Sequence, residues 1–460
     1  NNTGATALRL LFHRIMNSGL PCPVFLRLIL LFCFIGIIFP VPAISGDEKI
    51  TLSVWGIPEY EPFYGLKEAV KEFDRIHPEI SVQIGAPGGA TDVSPQKLMT
   101  AVASGTPPDL ILQDRFTISG WATRGAFRPL DDLIQRDGID LSEFYEPCVK
   151  ECMWQGELYG LPRGVDARGL YYNRDILKKF GYEKPPSDWG ELLEYSEKMT
   201  VRRGRNDYEQ VGFAPFWGNS WLYLYGWLND GRFLSEDGTR CTLNDPRIVE
   251  ALEYVKTVYD RIGGYNNLRG FQERGGFGGV VDPFINGKTV MLINGSWALD
   301  NIARYDPDMN FGVSFPPAPK GKEPLTWSGG FAAVIPAASQ NVDQAWELAK
   351  WLTFEQGMVY IGEQQKKFNQ SLGKDYYIPR FTSQPELNRK LFTRFPAPNK
   401  NVQEAIENFL AMLEHTKFRP VTPAGQKLWD EQVRATEQAL TGSAAPGEAL
   451  DRAAGRVQEE

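Results

Sequence analysis

Between residues 50 and 112 the hydrophobic pattern changes period four times, and this restricts the fold more than any other feature of the chain. Ile50-Thr51-Leu52-Ser53-Val54 alternates with the period of a strand. Leu66, Val70, Phe73 and Ile76 then recur at helical spacing until Pro78 stops the run. Ile80-Ser81-Val82-Gln83-Ile84 alternates again, Leu98, Ala101 and Val102 make a second helix ending at Gly105, and Asp109-Leu110-Ile111-Leu112 is a short apolar strand. Strand–helix–strand–helix–strand at this spacing predicts right-handed parallel crossovers, an α/β sheet with helices on both faces. Ligands of such sheets lie beyond the carboxyl ends of the strands. Here those ends are residues 55–60, with Trp55 and Tyr60, and Gln113-Asp114-Arg115.

The same grammar returns later. Leu170-Tyr171-Tyr172 reads as a strand, and Trp189, Leu192, Leu193 and Met199 as a helix from Asp188. Asp245-Pro246 opens a helix with an N-cap and a proline in the first turn. Residues 289–293, 312–315 and 331–335 read as strands, Ala345, Leu348, Ala349 and Leu352 line a helix, and the chain is helical in pattern from Asn401. The Gly-rich residues 263–279 read as a surface loop. At roughly 100–200 residues per domain, 460 residues predict two or three domains.

Residues 1–45 carry Arg9, Arg14 and Arg27 and no Asp or Glu, then an apolar run over 28–39 and the small-residue pattern Ala43-Ile44-Ser45. That is the layout of a secretory signal, with an uncleaved anchor as the alternative. The run is shorter than the roughly 20 residues of a membrane span. Met16 predicts a start that leaves residues 1–15 upstream. A formal charge of −8 argues against a protein that grips nucleic acid. Export leaves Cys148, Cys152 and Cys241, enough for one disulfide, although Cys148 and Cys152 four apart on one helical face pair poorly. Only His77 and His415 remain beyond the leader, so neither a zinc site nor a Ser-His-Asp triad is expected.

Asn286-Gly287-Lys288-Thr289 resembles the end of a phosphate-binding loop, but Asp282 stands where its first glycine belongs and Thr289 opens a strand. The adjacent acids Asp131-Asp132, beside Leu130 and Leu133, fit a solvated helix face better than a glycosidase pair. No cofactor motif appears. The inventory leans toward binding rather than catalysis.

An ordered series of blocks then carries a resemblance: Gly105-Thr106-Pro107-Pro108-Asp109-Leu110, Pro129-Leu130-Asp131-Asp132-Leu133, Gly156-Glu157-Leu158-Tyr159-Gly160-Leu161-Pro162, Asn294-Gly295-Ser296-Trp297, Gly329-Gly330-Phe331 and Gly447-Glu448-Ala449-Leu450. Over nearly all of residues 47–460 the chain resembles the extracellular solute-binding proteins of ABC importers, of the carbohydrate-binding type that includes the maltodextrin binders. The resemblance implies a two-lobed periplasmic-binding-protein fold. Each lobe is then a mixed or parallel sheet flanked by helices, and several crossing segments form the hinge. It places the first lobe in 46–162 plus 331–380 and the second in 166–327 plus 385–460, with crossings near 162–166, 327–331 and 378–385. It also implies an exported protein of the periplasm or cell surface, working as a monomer that hands its cargo to permease subunits in the membrane.

A sugar offers flat C–H faces to aromatic rings and hydroxyls to charged side chains. Asp114 and Arg115 match a ligand pair of maltodextrin-binding members, Asp166 their cleft carboxylate, although Asp is shorter than their Glu, and Trp297 their stacking indole. Trp55 and Tyr60 in the first strand-end loop, Trp217, Asn219 and Trp221 in the second lobe, and Trp429 in a late helix are further candidates, with core filling as the alternative. Trp327-Ser328-Gly329-Gly330 suits a hinge or a hydroxyl contact. Other solutes (glycerol phosphate, a polyamine, or ferric ion at Tyr171-Tyr172 or Tyr376-Tyr377), a secreted carbohydrate-cleaving enzyme and a signalling receptor stay open at this point.

Overall fold

The alternating segments near the start pair as their pattern predicts: Ile50–Trp55 lies parallel to Ile80–Ile84 on one side and to Leu110–Asp114 on the other. The computed structural model describes residues 49–85, 93–274 and 281–459, all within one unit, Lys49–Glu460. The leader read over residues 1–45 lies outside them, as do residues 275–279 of the Gly-rich stretch. Two strands from later in the chain complete the first sheet. Phe331–Val334 pairs antiparallel with Leu110–Asp114, and Leu161–Pro162 antiparallel with Phe331–Val334. Leu52, Val54, Leu110 and Leu112 meet Leu66, Val70 and Phe73 of the helix Tyr64–Ile76 in its core.

A second sheet is built around Asp166–Asn173, which pairs antiparallel with Thr289–Gly295, Phe311–Ser314 and Thr326–Gly329. Tyr208–Gly218 runs parallel to Thr289–Gly295, and Thr416–Lys417 parallel to Thr326–Gly329. The long strand Tyr208–Gly218 escapes the sequence reading because Pro215 sits inside it. The register jumps there, with Phe213 opposite Met291 but Gly218 opposite Ile293, so the proline rides on a bulge where no ladder N–H is needed. The Pro215 carbonyl accepts from the Tyr225 hydroxyl at 2.7 Å instead. The expected surface loop over 263–279 is corrected as well: Tyr265–Arg274 is a helix that buries Leu268 and Phe271.

The two sheets are joined where the chain passes from one to the other. Residues 163–165 link Leu161–Pro162 to Asp166–Asn173, and Gly330 alone links Thr326–Gly329 to Phe331–Val334. A third stretch runs beside the first: Val165 N donates to Phe381 O at 3.0 Å and Ser383 N to Arg163 O at 3.1 Å. The helix Pro385–Arg394 that follows sends Leu387 and Leu391 into the core of the first sheet, so packing does not change over at residue 385.

Helices Gly425–Thr441 and Pro446–Gln458 are clamped by one carboxylate. Glu431 is 1 % exposed and accepts from Arg434 Nη1 at 2.8 Å and Arg456 Nε at 2.7 Å. Burial would raise its pKa, but the Arg456 hydrogen bond and the charges of Arg456, Arg434 and Lys427 outweigh burial and hold it below the usual value. A carboxylate lowered in the folded state contributes stability that is full above the unfolded value near ~4.3 and is lost as pH falls through the folded one. Glu431→Gln is expected to cost roughly 1–2 kcal/mol at neutral pH, because its partners are exposed enough to rehydrate, and to flatten part of the acid limb of stability. Urea melts at pH 7 and pH 3.5 check this; equal losses at both would contradict it.

Candidate functional site

Arg115 follows the first sheet's strand Leu110–Asp114, yet its side chain turns inward rather than to a ligand, which corrects the expectation for it. It is fully buried, and Nε donates to Glu151 Oε2 at 3.0 Å, Nη1 to the Gly164 carbonyl and Nη2 to the Gly329 carbonyl at 2.8 Å. Those carbonyls belong to two of the passages between sheets, so one guanidinium ties them together. Gly330 beside it has φ 138°, and a Cβ there would collide with the Gly164 carbonyl and lie 2.6 Å from Arg115 Nη1. Burial pushes the Glu151 carboxyl up, and the guanidiniums of Arg115 and Arg419 pull it back toward ionisation.

Asp114, by contrast, keeps its side chain partly exposed. Its Oδ1 accepts from Arg419 Nη2 at 2.6 Å and from Phe116 N at 3.0 Å. Arg419 comes from the segment after Thr416–Lys417 of the second sheet, so this ion pair joins elements built on both sheets. Its guanidinium lies 4.2 Å from the Phe116 ring, 5.5 Å from Trp327 and 5.9 Å from Trp429. Close by, Ser119 Oγ donates to the Thr422 carbonyl at 3.1 Å.

On the other side of Trp327, Asp166 accepts from Gly329 N at 2.9 Å and from Arg168 Nη1. Arg168 in turn donates from Nε and Nη2 to Asn219 Oδ1, both at 3.0 Å, and lies 4.0 Å from the Trp327 ring and 5.2 Å from the Trp297 ring. Burial lowers its pKa, with Asp166 as the main opposing charge. Arg168 and Arg419 stand at the centre of this cluster, and the sequence reading singled out neither. Arg168 was within reach, because two residues past Asp166 on one strand places it on the same face; Arg419 carried no comparable signal.

Asp114, Asp166, Asn219, Trp297 and Trp327 are thereby gathered around Arg168 and Arg419. Trp221 and Trp429 join them, their rings 5.0 Å apart. Trp297 caps the helix Ala298–Tyr305, and its ring lies against Gly295, where a Cβ would collide with it. Trp327 is 2 % exposed and faces Arg168, so it backs the site and is no open stacking plate; its Nε1 and Ser328 Oγ are buried with no hydrogen-bond partner among the described residues. Gly329 contributes backbone only. Trp217 is core, stacked on Phe271 at 5.4 Å. Trp55 is half-buried against the core beside Ile111, and Tyr60, which is exposed, lies edge-on to Phe63 at 4.9 Å. The tyrosine pairs are engaged elsewhere: Tyr171 donates to the Gly295 carbonyl at 2.9 Å, and Tyr377 packs against Phe395. Asp131 Oδ2 accepts from Leu158 N, and Asp132 pairs with Arg128. Cys148, Cys152 and Cys241 are buried free thiols.

Three guanidiniums (Arg115, Arg168, Arg419) thus meet three carboxyl groups (Asp114, Glu151, Asp166), so their formal charges match. Glu151→Gln would strand Arg115 in a fully buried position and is expected to cost about 3–5 kcal/mol. Urea denaturation measures it, and a variant as stable as the parent would contradict the pinning role.

A model of the bacterial extracellular solute-binding protein family matches residues 58–359. A binding protein of Brucella abortus is 24 % identical over 424 residues, covering 90 % of this chain and 93 % of that one. A maltooligosaccharide ABC transporter solute-binding lipoprotein of Streptococcus pneumoniae is 26 % identical over 330 residues, 69 % of this chain and 72 % of that one. Among solved structures, CpMnBP1 with mannotriose bound superposes with a TM-score of 0.74 at 24 % identity, over 89 % of this chain and 100 % of that one. The fold is therefore the two-lobed one of such binding proteins.

Proposed function

The chain belongs to the bacterial extracellular solute-binding protein family, and from that premise we propose that it captures an uncharged sugar or oligosaccharide between its lobes and delivers it to the permease of an ABC importer. The observation that carries this reading is the neutral cluster of paired arginines and carboxylates, drawn from both sheets and bordered by indoles. Paired charges supply hydroxyls with charge-assisted donors and acceptors, about twice as strong as neutral ones, without net attraction for an ion. The half-buried Trp221, Trp297 and Trp429 supply apolar surface for C–H faces.

The relatives named above favour this cargo, since maltooligosaccharide and mannotriose figure in their names. A phosphorylated solute would need surplus cations and a polyamine surplus carboxylates, and the cluster offers neither. We take the protein to be exported, to act as a monomer and to leave its ligand chemically unchanged. The lobes are taken as 46–162 with 331–380 and as 166–327 with the remainder, the helix Pro385–Arg394 going with the first. Closure follows from differential contact: a ligand that touches both lobes favours the arrangement in which both reach it.

Calorimetry against mono- and oligosaccharides tests the reading, alongside an assay for new reducing ends. A sugar that releases heat and stays intact is the expected result. Against that sugar, Trp297→Ala and Asp166→Asn are each expected to lose about 1–3 kcal/mol of affinity, roughly five- to 150-fold. Unchanged affinity in both would place the site elsewhere; turnover of a glycan would replace the reading with an enzyme.

A further inference from the structure

A second ion pair, besides Asp114 with Arg419, joins the halves built on the two sheets. Arg304 lies in the last turn of the helix Ala298–Tyr305, which Trp297 caps, and its Nη1 donates to Glu61 Oε2 at 2.6 Å. Glu61 belongs to the turn Glu61–Phe63 that follows the strand Ile50–Trp55 of the first sheet. Leu299 and Ile302 anchor the helix in the core that holds Tyr171 and Leu292 of the second sheet. The helix is thus held by its own half, and the pair with Glu61 ties that half, Trp297 included, to the first.

The arginine side chain is 6 % exposed and the glutamate 56 %. Two exposed partners would contribute little, but here one is nearly buried, and a buried guanidinium that loses its carboxylate is costly. Asp300, one turn back, lies 3.7 Å from Arg304 Nη2, and Arg304 Nε has no hydrogen-bond partner among the described residues. Lys374 faces the same groups: burial and the charge of Arg304 lower its pKa, against the pull of Asp300 and Glu61. Two cations therefore share two carboxylates, Asp300 of the second half and Glu61 of the first. The backbone of Glu61 is fixed for this. Buried Gln365 donates from Nε2 to the Glu61 carbonyl and accepts from Gly65 N, both at 3.0 Å, so only a side chain is ordered by the pairing.

We infer that Glu61 is a positioning residue: through Arg304 it sets where the Trp297 helix stands relative to the first half, and so the affinity for every ligand that touches both halves, without touching the ligand itself. The inference rests on the reading of sugar capture between the lobes. It assigns to Glu61 the strength of the grip and not the choice of sugar.

Calorimetry with a panel of malto- and manno-oligosaccharides tests it, on the parent protein, Glu61→Gln, Glu61→Lys, Arg304→Gln, the double variant Glu61→Gln with Arg304→Gln, and Asp166→Asn. Glu61→Gln is expected to weaken every sugar that the parent binds by one common factor, about three- to tenfold, and Glu61→Lys by more, since it sets a third cation beside Arg304 and Lys374. Arg304→Gln is expected to cost less affinity in the Glu61→Gln background than in the parent, the mark of a coupled pair. Should Arg304→Gln fail to fold, the charge series at position 61 decides alone. Equal affinity in all three Glu61 forms, losses confined to particular sugars, or additive losses in the double variant overturn the positioning role. If Asp166→Asn still weakens every sugar in that case, the sugar-binding reading survives and only the positioning role falls. A parent protein that binds none of these sugars overturns both.

Discussion

One buried guanidinium ties together the places where the chain passes between the two sheets. Arg115 joins the Gly164 and Gly329 carbonyls, one from each of two passages between the sheets, and is itself neutralised by Glu151. Removing a full charge from water costs several kcal/mol, so such a group is tolerable only when every polar atom of it is matched. The match requires a residue without Cβ at position 330, an acid at 151 and passages that converge. The two passages are consequently held together at one locus.

The cluster of arginines and carboxylates grows out of that locus. Gly329 gives its carbonyl to Arg115 and its N–H to Asp166, so pin and cluster share one residue. Asp166 fixes Arg168, and Arg168 fills the space between two indoles and orients Asn219. On the opposite side Arg419 reaches across to Asp114, a contact available only while the two halves are close.

Much of the fold was legible because periodicity reports burial directly. The alternation in residues 50–54 and 80–84 and the caps at Asp188 and Asp245 describe elements that form as read. The strand Tyr208–Gly218 was not, since a proline on a bulge mimics a break; nor was Tyr265–Arg274, whose apolar residues lie among glycines. The site was legible in kind more than in role. Asp114 and Arg115 are neighbours at a strand end, and which one is drawn into the interior depends on Glu151, thirty-six residues beyond Arg115. Trp217 and Trp221 look alike in sequence, but Phe271 claims the first.

Small-angle X-ray scattering of the protein with and without a sugar shown by calorimetry to bind tests the central claim most directly, that cargo is gripped by rotation of two halves about the Arg115 locus. The account predicts a smaller radius of gyration at saturating sugar than in its absence. Saturation accompanied by an unchanged scattering profile would contradict it.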